Sequence, residues 1–265
     1  MNELTQKYSA IKKECQRTIL NLHKRANAGH IATSLSCLDI CIWLFFEKMR
    51  AEDKCILSKG HGASAFYTVL AKSGRLAESM LELFYSNGTV LAAHPPCNSQ
   101  LAAIPFGTGS LGHGLSLAAG LAFSQRYTNK AFHVYCILSD GDLNEGSTWE
   151  AMLFAAQHQL TNLTIVVDYN RLQACGRTED IISLEPLTDK FRSFRFEVAI
   201  SEAGNNLDSL EKAHHDLVQL DSKKPRCIIA YTTKGSGISF MENKFEWHYL
   251  ALNDEEFKQA LLEIG

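Results

Sequence analysis

FHVYCILSD (132–140), a helical pattern from Trp149 to Leu160, and TIVVDYN (164–170) form the stretch on which the fold turns. Each outer run is short, apolar, rich in β-branched and aromatic residues, and ends on polar side chains. Runs of that kind read as strands buried on both faces, which is the habit of parallel sheets. With a helix between them they make one βαβ unit, whose crossover is right-handed. A later run, RCIIAYTT (226–233), has the same character and adds another buried strand. The expected fold is α/β, a doubly wound, mostly parallel sheet flanked by helices on both faces.

Outward from this unit the chain reads mostly as helix and loop. Ile11, Cys15, Ile19 and Leu22 recur at helical spacing and predict a first helix over 4–28, with Gly29 as its terminator. Further helices are expected over 35–49 and 63–73. The Gly- and Pro-dotted segment 87–114 predicts loops, and loops that long usually carry function. Leu115, Ala118, Ala119, Ala122 and Phe123 then mark an amphipathic helix. Its N-terminus is the glycine-rich GTGSLGHG, where backbone N–H groups are expected to be free.

The 265 residues are 46% hydrophobic and 21% charged, with formal net charge -3. That composition excludes disorder, collagen and coiled coil, and with few prolines and no Gly/Ser linker we read residues 1–265 as one domain. No basic block is present for nucleic acid or an anionic membrane to act on. The longest apolar stretch, 35–46, holds Asp39 and is too short to span a bilayer, and the start lacks the apolar core of a signal peptide. A cytoplasmic address and a small partner molecule are the expectation. The eight cysteines are scattered, without C-x-x-C, and read as buried thiols.

In open parallel sheets ligands bind beyond the carboxyl ends of the strands. The first strand runs into Asp140, Gly141 and Asp142, and the second ends at Asn170, so both side chains can converge on one edge. An Asp carboxylate, an Asn amide oxygen and a backbone carbonyl are hard ligands, too few to hold a metal alone, and suit Mg²⁺ shared with a phosphate. Gly107-Thr-Gly109-Ser-Leu-Gly112 matches the dinucleotide pattern G-x-G-x-x-G, but a poor strand precedes it and no acidic residue lies about twenty positions on. Nicotinamide binding is therefore disfavoured, and KGSG (234–237) lacks the order of a P-loop.

SDGDLNEG (139–146) followed by Asn170 resembles the thiamine diphosphate motif, with Ser139 in place of its first glycine. GHIATSLS (29–36), SKGHGASAFY (58–67), HPP (94–96), GTGSLGHGLS (107–116), DGDLNEGSTWEA (140–151) and KGSGISFMENKFEWH (234–248) resemble, in order, the N-terminal half of transketolase. The nearest pattern is the two-gene type, in which this half is a separate polypeptide. The resemblance implies transfer of a two-carbon ketol unit from a ketose to an aldose, with thiamine diphosphate and Mg²⁺, or Ca²⁺ or Mn²⁺, as cofactors. It implies metal binding by Asp140, Asn170 and the carbonyl of Leu172. His61 and Gly141 would meet the diphosphate, and Gly109, Ser110 and Leu111 the cofactor's rings through backbone groups. His30, His94, His113 and His248 would face substrate or the reacting carbon, and His248 would also touch the cofactor.

Glu145 and Glu150 match acidic residues at the subunit contact. The implied partner is a second subunit carrying the pyrimidine-binding and C-terminal domains, most simply in an α2β2 heterotetramer. Ketol transfer needs protons delivered to sugar oxygens, a task that imidazoles suit. His23, His133, His158, His214 and His215 keep a structural or surface reading. Two alternatives stand beside this one: a non-catalytic scaffold paralogue, and part of a related thiamine diphosphate enzyme that works on a specialised sugar or 2-oxo acid. One departure is that relatives usually follow the WH with Gly, whereas Tyr249 follows His248 here.

Overall fold

The computed structural model describes residues 3–265. Its strands are β1 (Lys54–Leu57), β2 (Val134–Ser139), β3 (Leu163–Tyr169), β4 (Glu197–Ser201) and β5 (Arg226–Tyr231). All pair in parallel, in the order β1-β2-β3-β5-β4. The helices are α1 (Glu3–Lys7), α2 (Ser9–Ala26), α3 (Ile31–Trp43), α4 (Ala63–Lys72), α5 (Gly114–Ser124), α6 (Gly146–Gln157), α7 (Thr178–Ile182), α8 (Leu187–Ser193), α9 (Leu207–Val218) and α10 (Asp254–Ile264).

Strand side chains alternate between two cores, as the two-residue period of a strand requires. Tyr135, Ile137, Val166, Ile228 and Ala230 pack toward α2, α3, α4, α9 and α10. Cys136, Leu138, Ile165, Val167, Cys227 and Ile229 pack toward α5, α6 and α8. The doubly wound parallel sheet is thus as expected, and among the described residues no helix is long and apolar enough to cross a membrane.

Several local expectations need correcting. The first helix is broken at Tyr8, whose hydroxyl donates to Glu47 Oε2 at 2.7 Å. It ends at Ala26 on Asn27, which takes the left-handed conformation itself (φ 47°), so Gly29 is not the terminator. The second helix starts at Ile31 rather than 35 and closes in a wide turn at 44–48. Every residue of α3 is buried, so it has no polar face for periodicity to find. Cys97 and Cys175 are exposed, against the reading of all eight as buried. Near the start of α5, Gly112 N–H is not free but donates to Asp142 Oδ1 at 2.9 Å. Strands β1 and β4 are additions to the expected sheet.

Beneath the carboxyl edge, Lys59 and Asp168 form an ion pair in which neither side chain touches solvent. Asp168 also accepts from Ser36 Oγ of α3 at 2.7 Å and from Thr232 Oγ1 just after β5. Lys59 donates as well to the Thr33 carbonyl at 3.2 Å. Burial works against the Lys59 charge, yet Asp168 holds its pKa above the ordinary range. Removing one member of a buried pair strands the other's charge. Asp168→Ala should therefore lower the unfolding free energy by about 3–5 kcal/mol, measured by denaturant titration; a loss under about 1 kcal/mol would contradict this role.

His23 is buried, with Nδ1 3.2 Å from the Ala28 carbonyl and Nε2 2.8 Å from Ser64 Oγ. Desolvation lowers its pKa from 6.5 to about 4. Between those values the unfolded chain binds a proton that the folded chain refuses, so this contribution is complete above the unfolded pKa and is lost as pH falls toward 4. It amounts to about 3 kcal/mol. Thermal melts should fall steeply over that window, and His23→Gln should flatten the slope; an unchanged slope refutes the assignment.

Candidate functional site

Four strand ends deliver the site. β1 runs straight into Ser58-Lys59-Gly60-His61, a short turn that opens α4. β2 ends at Ser139, and Asp140 begins the turn 141–144. Beyond β3 stands Asn170, and Lys234 follows β5. Asp142 ties three of the motifs together. Its Oδ1 accepts from Ser58 Oγ at 2.5 Å and Gly112 N–H at 2.9 Å, while its Oδ2 accepts from both the N–H and hydroxyl of Ser139 at 2.9 Å. A Cβ at Gly60 would lie 3.0 Å from Gly109 Cα, so the SKGHG turn and the GTGSLG loop cross glycine against glycine.

These crossings leave a cavity of about 240 Å³, whose lining includes His30, His61, His94, Gly109, Leu111, Asp140, Gly141, Leu172, His248 and Tyr249. The His30 ring lies 5.1 Å from His248, 5.6 Å from His94 and 5.8 Å from His61, centre to centre. His61 stacks on His248 at 5.2 Å. His30 occupies the left-handed conformation (φ 72°), and its N–H donates to the His248 carbonyl at 2.9 Å. A non-glycine residue held there stores strain, which tends to cluster at working sites.

The electrostatics are those of a dry site with buried cations. Lys234 Nζ donates to His248 Nδ1 at 3.0 Å and to the carbonyls of Leu172 and Gln173 at 3.2 Å. An ammonium only donates, so the neutral His248 ring carries its proton on Nε2. Desolvation, then the Lys234 charge, lowers the His248 pKa to about 3; desolvation, then His94, lowers His30 to about 4. Burial likewise pushes His61 well down and His94 down, and it lowers Lys234 to about 8, with Lys59 adding to the effect. Burial raises Asp140 to about 6, against the hydrogen bond that Thr178 Oγ1 donates to its Oδ2 at 2.6 Å.

The residues expected at a metal converge. Asn170 lies buried beside the cavity, its Oδ1 accepting from Leu172 N–H at 2.9 Å, with its Nδ2 donating to Ser36 Oγ at 3.0 Å. Among the described residues no cluster of three His, Cys, Asp or Glu side chains could hold a metal, so protein side chains alone make no complete shell. Asp140, Asn170 and the Leu172 carbonyl are an all-oxygen set that fits a hard divalent ion completed by phosphate and water. The Lys234 ammonium on the Leu172 carbonyl is a cation already drawn to that oxygen.

Other expected residues lie apart. Ser110 and His113 are exposed on the loop before α5, outside the cavity lining. Glu145 and Glu150 are exposed at the start of α6. His133 fits its structural reading, with Nε2 2.8 Å from Thr164 Oγ1. Sequence reasoning missed Lys59, Asp142, Asp168, Thr178 and Lys234. A charged residue inside TIVVDYN was the one available signal.

Lys234→Met removes the ammonium facing His248 Nδ1, so the His248 imidazole should titrate at higher pH, read by NMR on the folded chain. An unmoved titration would show that the lysine does not set this ring's charge.

A family profile described as "Transketolase, thiamine diphosphate binding domain" matches residues 13–265. One of the two subunits of the apulose-4-phosphate transketolase of Actinobacillus succinogenes is 36% identical over 272 residues, spanning 99% of this chain and 96% of that protein. A "6-deoxy-6-sulfo-D-fructose transketolase subunit" of Clostridium sp. is 35% identical, spanning 91% of this chain and 90% of its own length. In fold, the transketolase from Leishmania mexicana superposes with TM-score 0.86 at 24% identity, covering 97% of this chain and 41% of that one. This chain therefore spans about two-fifths of the solved enzyme's length but nearly the whole of the relatives named as separate subunits. With the profile running through every strand end that lines the cavity, the chain belongs to the transketolase family, as its thiamine diphosphate binding domain.

Proposed function

We propose that the chain is the diphosphate-binding subunit of a split transketolase, moving a two-carbon ketol unit from a ketose to an aldose. The observation that carries this reading is the gathering of His30, His61, His94 and His248 on the same cavity as Asp140, Gly141 and Leu172. Asp140, Asn170 and the Leu172 carbonyl would hold Mg²⁺, or Ca²⁺ or Mn²⁺, against the diphosphate. His61, Gly141 and the backbone of Gly109, Ser110 and Leu111 would hold the rest of the cofactor. Bound thiamine diphosphate supplies the electron sink for breaking and making the carbon–carbon bond.

This chain's own part is to place protons and exclude water. His248, its Nδ1 taken by Lys234, presents Nε2–H as a donor to a sugar oxygen. His30 stands within ring contact of both His248 and His94, so the three serve neighbouring oxygens of one substrate. His113 would border the substrate from the rim. Neutral imidazoles at a dry site donate and accept without burying net charge.

The partner in this reading is a second polypeptide with the pyrimidine-binding and C-terminal domains, in an α2β2 heterotetramer. Relatives of almost this length that are named as subunits support it, as does the exposure of Glu145 and Glu150. Those relatives are named for apulose 4-phosphate and 6-deoxy-6-sulfo-D-fructose, and we extend to this chain a specialised sugar or sugar phosphate as substrate. We also propose one domain over 1–265 and a cytoplasmic address, on the ground that all eight thiols are free, as a reducing compartment keeps them.

Calorimetry on the chain with its partner should show thiamine diphosphate binding that needs a divalent ion and is lost with EDTA or in Asp140→Ala. Ketol transfer should be absent from the lone chain and appear on adding the second polypeptide. Unchanged affinity in Asp140→Ala would sink the metal assignment, and full activity of the lone chain would sink the split-enzyme reading.

A further inference from the structure

Behind the histidines lies a second chamber, of about 310 Å³, which shares His30, His61, His94 and Tyr249 with the first. Its other walls include Phe84 and Tyr85, together with Gly29 and the pair His23–Ser64. Among the described residues that line it there is no Lys, Arg, Asp or Glu. The chamber is therefore aromatic and uncharged apart from histidines that burial keeps neutral.

Tyr249 is the partition between the two spaces. Its ring lies 4.8 Å from His248 and 5.7 Å from His30, yet the residue is 66% exposed. Its hydroxyl has no hydrogen-bond partner among the described residues. The backbone beneath it is fixed by close approach, since a Cβ at Gly29 would fall 2.7 Å from the Tyr249 carbonyl oxygen. Tyr85, another wall of the chamber, is held in the left-handed conformation (φ 58°) by an N–H bond to the Leu91 carbonyl at 2.9 Å. A bulky aromatic residue in that conformation is strained, and such strain tends to gather where a side chain must be held in one place.

We propose that this chamber receives the uncharged carbon chain of the sugar beyond its reacting carbon, and that Tyr249 and Tyr85 decide which sugars fit. This deepens the ketol-transfer reading and rests on it. Aromatic faces bury the C–H face of a sugar while the Tyr249 hydroxyl remains available to one of its oxygens. A phosphate or sulfonate placed here would be desolvated with no cation from this chain to meet it. The charged end of such a substrate therefore points out of the chamber, toward the second polypeptide.

The test uses the two-chain complex with hydroxypyruvate as donor and two acceptors, glycolaldehyde, which is too short to enter the chamber, and D-ribose, which has a chain to place there. In Tyr249→Gly the ratio of kcat/KM for ribose to that for glycolaldehyde should fall about tenfold, mainly through KM for ribose. Tyr85→Ala should lower the ratio in the same direction, and Tyr249→Phe, which keeps the ring, should hold it within about threefold of wild type. A ratio unchanged or raised in Tyr249→Gly, or lowered as far by Phe as by Gly, overturns the subsite while leaving ketol transfer intact. A wild-type complex that transfers no ketol unit overturns both readings.

Discussion

The site stands on a buried ion pair. Lys59 and Asp168 are both cut off from solvent, and a charge so placed is tolerated only when its partner and further hydrogen bonds offset its lost hydration. Here the compensation comes from Ser36 of α3, from Thr232 after β5 and from the Thr33 carbonyl. The pair thus clamps the turn after β1, the end of β3, the end of β5 and the central helix at one point. Asn170 sits directly on this clamp through Ser36, so the position of the amide that meets the cation is set from below.

A second knot, Asp142, controls the opposite side of the cavity. Four hydrogen bonds from Ser58, Gly112 and Ser139 hold its carboxylate, and the glycines around it let backbones pass where a side chain would collide. Above these two anchored carboxylates lie the ammonium of Lys234 and the rings of four histidines. Two buried lysines next to uncharged imidazoles make a site that attracts an anionic diphosphate while leaving proton donors and acceptors undamped by charge.

The parts of this arrangement written locally were legible. β2, β3 and β5 are continuous apolar runs, and Asp140 and Asn170 end two of them, so both the sheet and its working edge follow from periodicity and strand ends. β1 is four residues long, too short to show a period, and β4 is a half-exposed edge strand without an apolar face. α3 hid its start because a helix buried all round has no polar stripe. Lys59, Asp168 and Lys234 escaped for another reason. Their meaning lies in partners far away along the chain, and a lysine ending a strand looks like any solvated lysine until the fold buries it.

The hydrogen bond from His30 N–H to the His248 carbonyl joins segments near opposite ends of the described chain. No contiguous fragment of the sequence contains the pocket, and bringing its walls together requires the large loop-closure entropy of distant contacts. Occupancy and global integrity are then linked quantities. Each tenfold excess of a bound molecule over its dissociation constant adds about 1.4 kcal/mol to the folded state, and a local opening at either extremity is felt directly as weaker retention of whatever the pocket holds.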